Sequence, residues 1–168
     1  MARTSSEIVK GSILQVGLTN SGVVLGFATS HSLSITVNTT EVSTKDHGNY
    51  PGVVAQNTTW EVSCENLFCG QNWDELQQIL VNGTPVDISF APVQNWTDKG
   101  IVDATGTDAT TEWRLSTPIA TGKAYLTSLN VNAANGDNAT ISATFTGAGT
   151  LTFATYTSQN NNGGGGNV

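Results

Sequence analysis

Charge is scarce in this chain: only 11% of its 168 residues are Asp, Glu, Lys or Arg. Helical surfaces are built largely from such residues and Ala, so a helix-rich fold is disfavoured. Basic residues are the scarcer sign, six against 13 acids, for a net charge of -7. A surface of that sign repels phosphate and argues against a reader of nucleic acid. There are only two histidines, His31 and His47, and neither stands at a metal-ligand spacing or beside a nucleophile motif. The two cysteines, Cys64 and Cys69, fit neither a CxxC redox pair nor a zinc site with its further ligands. They read as reduced thiols, with Cys64 a small buried hydrophobe. No apolar run approaches the roughly 18 to 20 residues of a membrane helix. The first ten residues carry no apolar core of the kind a signal peptide has, so a soluble protein kept in the cytoplasm is expected.

Features that imitate chemistry fail on their setting. Asp46-His47 lies in an extended loop where adjacent side chains point apart, which is no base for a triad. Glu61 and Glu65 fall on the polar phase of one strand instead of facing each other across a cleft. Gly147-Ala148-Gly149 lies between strands and opens no helix, so it is a turn, not a phosphate cradle. Asn-x-Ser/Thr triplets occur at Asn38, Asn57, Asn82, Asn95 and Asn138, at about the frequency that chance gives in a chain so rich in Asn, Ser and Thr. Neither an enzyme nor a cofactor is expected.

What the chain does have is Thr, Ser, Asn and Gly in quantity, a mixture of strands and turns. Its length suits one domain, residues 1–158, followed by a low-complexity Gly/Asn tail, 159–168. Residues 12–16 and 22–27, separated by the turn cluster 19–22, read as a first strand or hairpin. From Ser30, Leu33, Ile35 and Val37 alternate with Ser32, Ser34, Thr36 and Asn38, the signature of a half-buried strand running to about Ser43. Trp60, Val62 and Cys64 alternate with Thr59, Glu61, Ser63 and Glu65 in its natural antiparallel partner, 58–65. Between the two lies a loop, 44–57, far longer than the two to five residues that a hairpin turn takes.

Asn72–Val81 is the one helix, with Asn72 as N-cap, Asp74 and Glu75 in the first turn, and Trp73, Leu76, Ile79 and Leu80 as the buried stripe; Gly83 and Pro85 stop it. Val86–Phe90 is a further strand, 93–112 is an irregular connection, and 122–131 and 138–146 pair through a tight Asn135-Gly136 turn. A short strand at 151–156 closes the domain.

Two stretches carry a resemblance. Ser43-Thr-Lys-Asp-His-Gly48 leads to Thr59-Trp-Glu-Val-Ser-Cys-Glu-Asn-Leu67, and Thr121-Gly-Lys-Ala-Tyr-Leu-Thr-Ser-Leu129 leads to Ala139-Thr-Ile-Ser-Ala-Thr-Phe-Thr-Gly-Ala-Gly-Thr-Leu151. In order and spacing, with a helix between them, they resemble the major tail tube proteins of long-tailed bacteriophages. That family has an STKD-like element opening a long hairpin loop, then a G-x-A-x-x-T-S-L strand before a T-x-S-x-x-F-x-G-x-G-x-L ending. The resemblance spans roughly residues 30–153.

It implies a mainly β, tail-tube-type sandwich or barrel with one flanking helix, whose hairpins join between subunits into a closed ring. Six copies would form each ring and stacked rings a tube in the virion tail, assembled in the host bacterial cytoplasm. Tape-measure and tail terminator or tip proteins would be partners, and viral DNA would pass through without specific binding. The two-faced hairpins then suggest that Ser32, Ser34, Thr36, Asn38, Glu61, Ser63, Glu65, Ser142 and Thr144 line the channel, a surface without Lys or Arg on which DNA slides. The long loop, with Lys45, Asp46, His47, Tyr50 and Pro51, is expected to reach a neighbouring subunit or ring. Two other readings stand beside this one. The tube of a contractile injection system shares the architecture, and a monomeric carbohydrate-binding β-sandwich would use Trp96 and Trp113 as a platform.

Overall fold

A computed structural model describes residues 11, 14–18, 23–25, 27–92 and 117–155. Its strands are β1 (Leu14–Leu18), β2 (Val23–Val24), β3 (Ala28–Val42), β4 (Gly52–Leu67), β5 (Val86–Pro92), β6 (Ala120–Asn132), β7 (Thr140–Gly147) and β8 (Thr152–Phe153); the helix α1 (Gly70–Asn82) lies between β4 and β5. The expected irregular connection 93–112, Trp96, Trp113 and the tail 159–168 lie outside the described residues.

All eight strands belong to one antiparallel sheet in the order β2-β1-β5-β6-β7-β4-β3, with β8 continuing the line of β7 alongside β6. The sheet curls until its first edge nears its last. Val16 N–H of β1 donates to His31 Nδ1 of β3 at 3.2 Å, and Asn66 Nδ2 of β4 donates to Leu25 O, just after β2, at 3.0 Å. The curl encloses the apolar phase of the strands: Val16, Leu25, Val62, Ile141 and Phe145 are fully buried. Leu76 of α1 joins this core, with Trp73 and Ile79 packed against it. The layout is a half-barrel with one dry and one wet surface, the way a sheet with period-two patterning must settle.

The helix begins earlier than its sequence suggests. Cys69, not Asn72, is the N-cap, in extended geometry (φ -129°, ψ 132°), and its side chain makes no capping bond. Asn72 is buried inside the first turn, which holds no acid, and Leu80 is partly exposed instead of completing the stripe. The C-terminal end is as expected: Gly83 takes the left-handed conformation at φ 61° and its N–H returns to Ile79 O. Cys69→Asp should add the missing cap and raise stability by about 0.5–1 kcal/mol in a denaturant titration.

The β6–β7 connection is also longer than a two-residue turn, running over 133–139. Only Gly136 has positive φ (92°), and Asp137 N–H closes on Ala134 O. That is the geometry of a turn with glycine at its third position, not of a tight primed hairpin.

Candidate functional site

Antiparallel registration decides which side chains share a face, because residues directly opposite project the same way. Ser32 pairs with Ser63, Ser34 with Glu61, Thr36 with Thr59 and Ser30 with Glu65. On the other flank of β4, Glu61 pairs with Thr146, Ser63 with Thr144 and Glu65 with Ser142. Eight of the nine residues expected to line a channel therefore fall on one continuous polar face. The ninth, Asn38, lies at a bulge where the register slips between Val37 and Thr39, and its amide Nδ2 donates to Asn57 Oδ1 at 3.0 Å.

The face extends further than the strand-by-strand alternation revealed. Thr59 and Thr146 belong to it through their pairings with Thr36 and Glu61. Ser128 and Asn130 belong to it through theirs with Thr144 and Ser142. A bulge between Leu126 and Ser128 breaks the alternation of β6, so no sequence period could show this. Short hydroxyl contacts tie the face together: Thr127 Oγ1 lies 3.0 Å from Thr146 Oγ1 and donates to Thr144 O at 3.2 Å. Glu61 and Glu65 supply its charge, and no Lys or Arg stands among these residues.

Beyond Glu61 the ribbon thins to two strands, because the β4–β7 pairing ends at Glu61 and Thr146 while β3 and β4 run on to Val42 and Gly52. What sequence reading takes for a loop over 44–57 is thus a β-arm, and only residues 43–51 connect its strands. Val53 to Asn57 escape detection because both faces of this stretch are exposed, so no alternation marks it. The arm projects on the order of 30 Å at the ordinary rise per residue. Lys45, Asp46, His47, Tyr50 and Pro51 all lie exposed at its tip. The tip folds back on itself: Thr44 N–H donates to His47 Nδ1 at 3.2 Å, with Thr44 Oγ1 2.7 Å from the same nitrogen.

The arm cannot cover its own dry side. Ile35 and Val37, in phase with Leu33 and the core, are 43% and 52% exposed, and further uncovered apolar side chains lie on both faces of the arm, Val42 and Val54 on one and Val53 on the other, with Tyr50 at the tip. A two-stranded ribbon is at best marginally stable alone, and uncovered apolar surface of this kind is characteristic of interaction sites.

Trp60 secures the arm at its root. The indole is buried and its Nε1–H donates to Gly149 O at 2.9 Å. Its ring lies on Gly122 and Gly147, where an added Cβ would stand 2.6 Å and 2.3 Å from ring carbons. Gly147-Ala148-Gly149 thus does more than turn the chain: it leaves room for an indole 87 residues away in sequence, at the break between β7 and β8.

Among the described residues no group of three or more His, Cys, Asp or Glu gathers to hold a metal, and no helix is long and apolar enough to cross a membrane. Cys64 is buried, which pushes its thiol up to about 12, so it is no nucleophile at neutral pH.

Comparison with known proteins agrees with this geometry. A family model described as "phage tail tube protein" matches residues 10–153. Among solved structures, the chain is similar to one in the virion of a native gene transfer agent particle, with TM-score 0.66 at 16% identity, covering 88% of this chain and 100% of that one. It is also similar to one in the tail of an empty gene transfer agent particle, refined with C6 symmetry, with TM-score 0.64 at 18% identity and the same coverage. No curated protein matches.

Proposed function

The chain belongs to the phage tail tube protein family, as a structural subunit of a tail tube, and on that premise we propose that six copies close into a ring and that rings stack into a channel for viral DNA. The observation that carries this reading is a four-stranded ribbon with two unpaired edges. In β6-β7-β4-β3, no described strand pairs with the outer edge of β3, and among the described residues β6 is paired on its outer side only over 120–124, by β5, leaving Tyr125 to Asn132 without a strand partner there. Successive strands are antiparallel, so β3 of one copy and β6 of the next run in opposite directions and continue the same ladder. Such a head-to-tail contact leaves no open edge once the ring closes.

Six copies supply about 24 strands. At a spacing of ~4.8 Å and a tilt of ~40°, these close a barrel on the order of 45–50 Å across between backbones, wide enough for a B-form duplex. The wet face turns inward in this arrangement, because the other face is filled by each copy's own core. Hydroxyls, amides and the carboxylates of Glu61 and Glu65 then meet the DNA. Like charge keeps the phosphates off the wall, and Lys123, in phase with this face through Tyr125 and Thr146, is held by Asp87 at 2.8 Å. The arm, with Lys45, Asp46, His47, Tyr50 and Pro51 at its tip, reaches a copy in the adjoining ring, where its dry side is covered. Tape-measure and terminator or tip proteins bound the tube, which forms in the host bacterial cytoplasm and ends in the virion tail. The role is scaffolding and conduction, with no catalysis.

The lumen assignment has a direct electrostatic test. Glu61→Lys with Glu65→Lys places two exposed cations per subunit on the proposed inner wall. Reconstituted tubes of the double variant should retain duplex DNA at 50 mM salt and release it at 200 mM, with affinity falling at least tenfold between the two. Unmodified tubes should bind none at either. Equal DNA retention by both proteins would remove these residues from the channel wall.

A further inference from the structure

We infer that His31 is a latch that holds the curled sheet shut through its neutral ring, so that protonating it opens the seam between β1 and β3. Val16 N–H donates to His31 Nδ1 at 3.2 Å, a bond that joins the strand beside one edge of the sheet to the strand at the other. Nδ1 can accept only while unprotonated, which places the proton of the neutral ring on Nε2. Among the described residues Nε2 is itself buried without a hydrogen-bond partner. A second proton on the ring therefore removes the acceptor for Val16 and leaves a cation with nothing to compensate it.

The surroundings offer no counter-charge among the described residues. Across β4, His31 stands opposite Cys64, a buried neutral thiol. On its own strand the same phase continues with Leu33, and β1 presents Leu14–Leu18 without an ionisable group. Glu65 and Glu61 register with Ser30 and Ser34, on the opposite, exposed face. Burial accordingly lowers the His31 ring from 6.5 to about 4.

Because the folded value lies below the unfolded one, the latch contributes its full stability above pH 6.5 and loses it as pH falls toward 4. Opening it uncovers Val16, Leu18 and Leu25, which form part of the core. It also loosens β3, whose free edge closes the ring. The last point rests on the proposed ring. It makes mild acid a regulator of assembly, with subunits joined firmly near neutrality and progressively less so below pH 6.

The test reads the latch in the monomer and the ring separately. In two-dimensional NMR of the full chain, the Val16 amide should shift and broaden as pH falls from 7 to 4. It should stay in place in His31→Asn, whose amide oxygen accepts the same bond without titrating. The His31 ring C–H signal of the unaltered chain should titrate near 4. A ring titrating near 6.5, or an unaltered chain whose Val16 signal is insensitive to pH, would overturn the latch even if His31→Asn failed to fold. Pelleting then addresses assembly: tubes of the unaltered chain should lose at least half their mass to the supernatant between pH 6.5 and 4.5, and those of His31→Asn less than a tenth. Equal acid loss from both kinds of tube would overturn the regulatory role. A Val16 response in a chain that forms no tube at any pH would uphold the latch and remove the ring.

Discussion

Removing residues 39–57 and placing one glycine in their stead, so that the chain reads Val37-Asn38-Gly-Thr58, is expected to abolish tube formation and leave a folded monomer. The reason lies in where the core stops. Residues 34 to 59 are exposed on both strands apart from the half-buried Gly52, and the first buried side chain of β4 is Trp60. The cut leaves Val37 paired with Thr58 and keeps every core residue, while Asn-Gly supplies a two-residue turn. Its effect on monomer stability should stay within about 1 kcal/mol, as for other changes away from packed surface. Its effect on assembly should be complete, because the arm carries the apolar surface for which the subunit has no cover of its own. Electron micrographs and a thermal melt on the same sample distinguish the outcomes. Tubes of ordinary length from the armless chain would show that the arm is dispensable; a large loss of melting temperature would show that it belongs to the monomer.

Gly147→Ala should be strongly destabilising, more so than Gly122→Ala or Gly70→Ala. The new Cβ would meet Trp60 at 2.3 Å from Cε2, and the ring cannot retreat without giving up its bond to Gly149 O. Overpacking of this kind costs about 3 kcal/mol, which lowers the melting temperature by roughly 6–12 °C in a chain of this size. Gly122→Ala should cost somewhat less, near 2 kcal/mol. Gly70→Ala, where nothing lies within 4 Å, should stay within about 0.5 kcal/mol. Trp60→Phe narrows the ring and should absorb part of the Gly147→Ala loss, leaving a coupling of about 1 kcal/mol or more in a double-mutant cycle. Strict additivity of the two changes would show that the glycine is not there for the indole. Since Trp60 sits where the arm leaves the body, the same substitutions should also slow tube growth.

These two cases show which parts of the protein a sequence discloses. Strands that are dry on one side and wet on the other announce themselves by alternation, as Leu33 to Asn38 and Thr59 to Glu65 do, and their pairing follows. The helix is legible from Leu76 and Gly83, but its start is not. Asn72 is a residue type suited to capping, yet its side chain was needed in the interior and an unremarkable Cys69 took the terminus. The outer arm is hidden for the opposite reason: Val53 to Asn57 have no buried side to impose a period, so a strand reads as a loop. Contacts between distant residues leave no local mark at all. Nothing near Gly122 or Gly147 points to Trp60, and nothing near His31 points to the amide of Val16. The polar face was largely visible because hydroxyls and carboxylates alternate with a core, whereas its extension over Thr146, Ser128 and Asn130 appeared only once register and bulges were known.

An electron cryo-microscopy reconstruction of tubes grown from the purified chain puts the central claim to its most direct test. The expected map is a six-fold hollow tube in which β3 of each copy joins β6 of the next, with Ser32, Ser34, Thr36, Glu61, Ser63, Glu65, Ser142 and Thr144 facing the bore. A map with those side chains on the outer wall, or a chain that stays monomeric at every concentration tried, would contradict it.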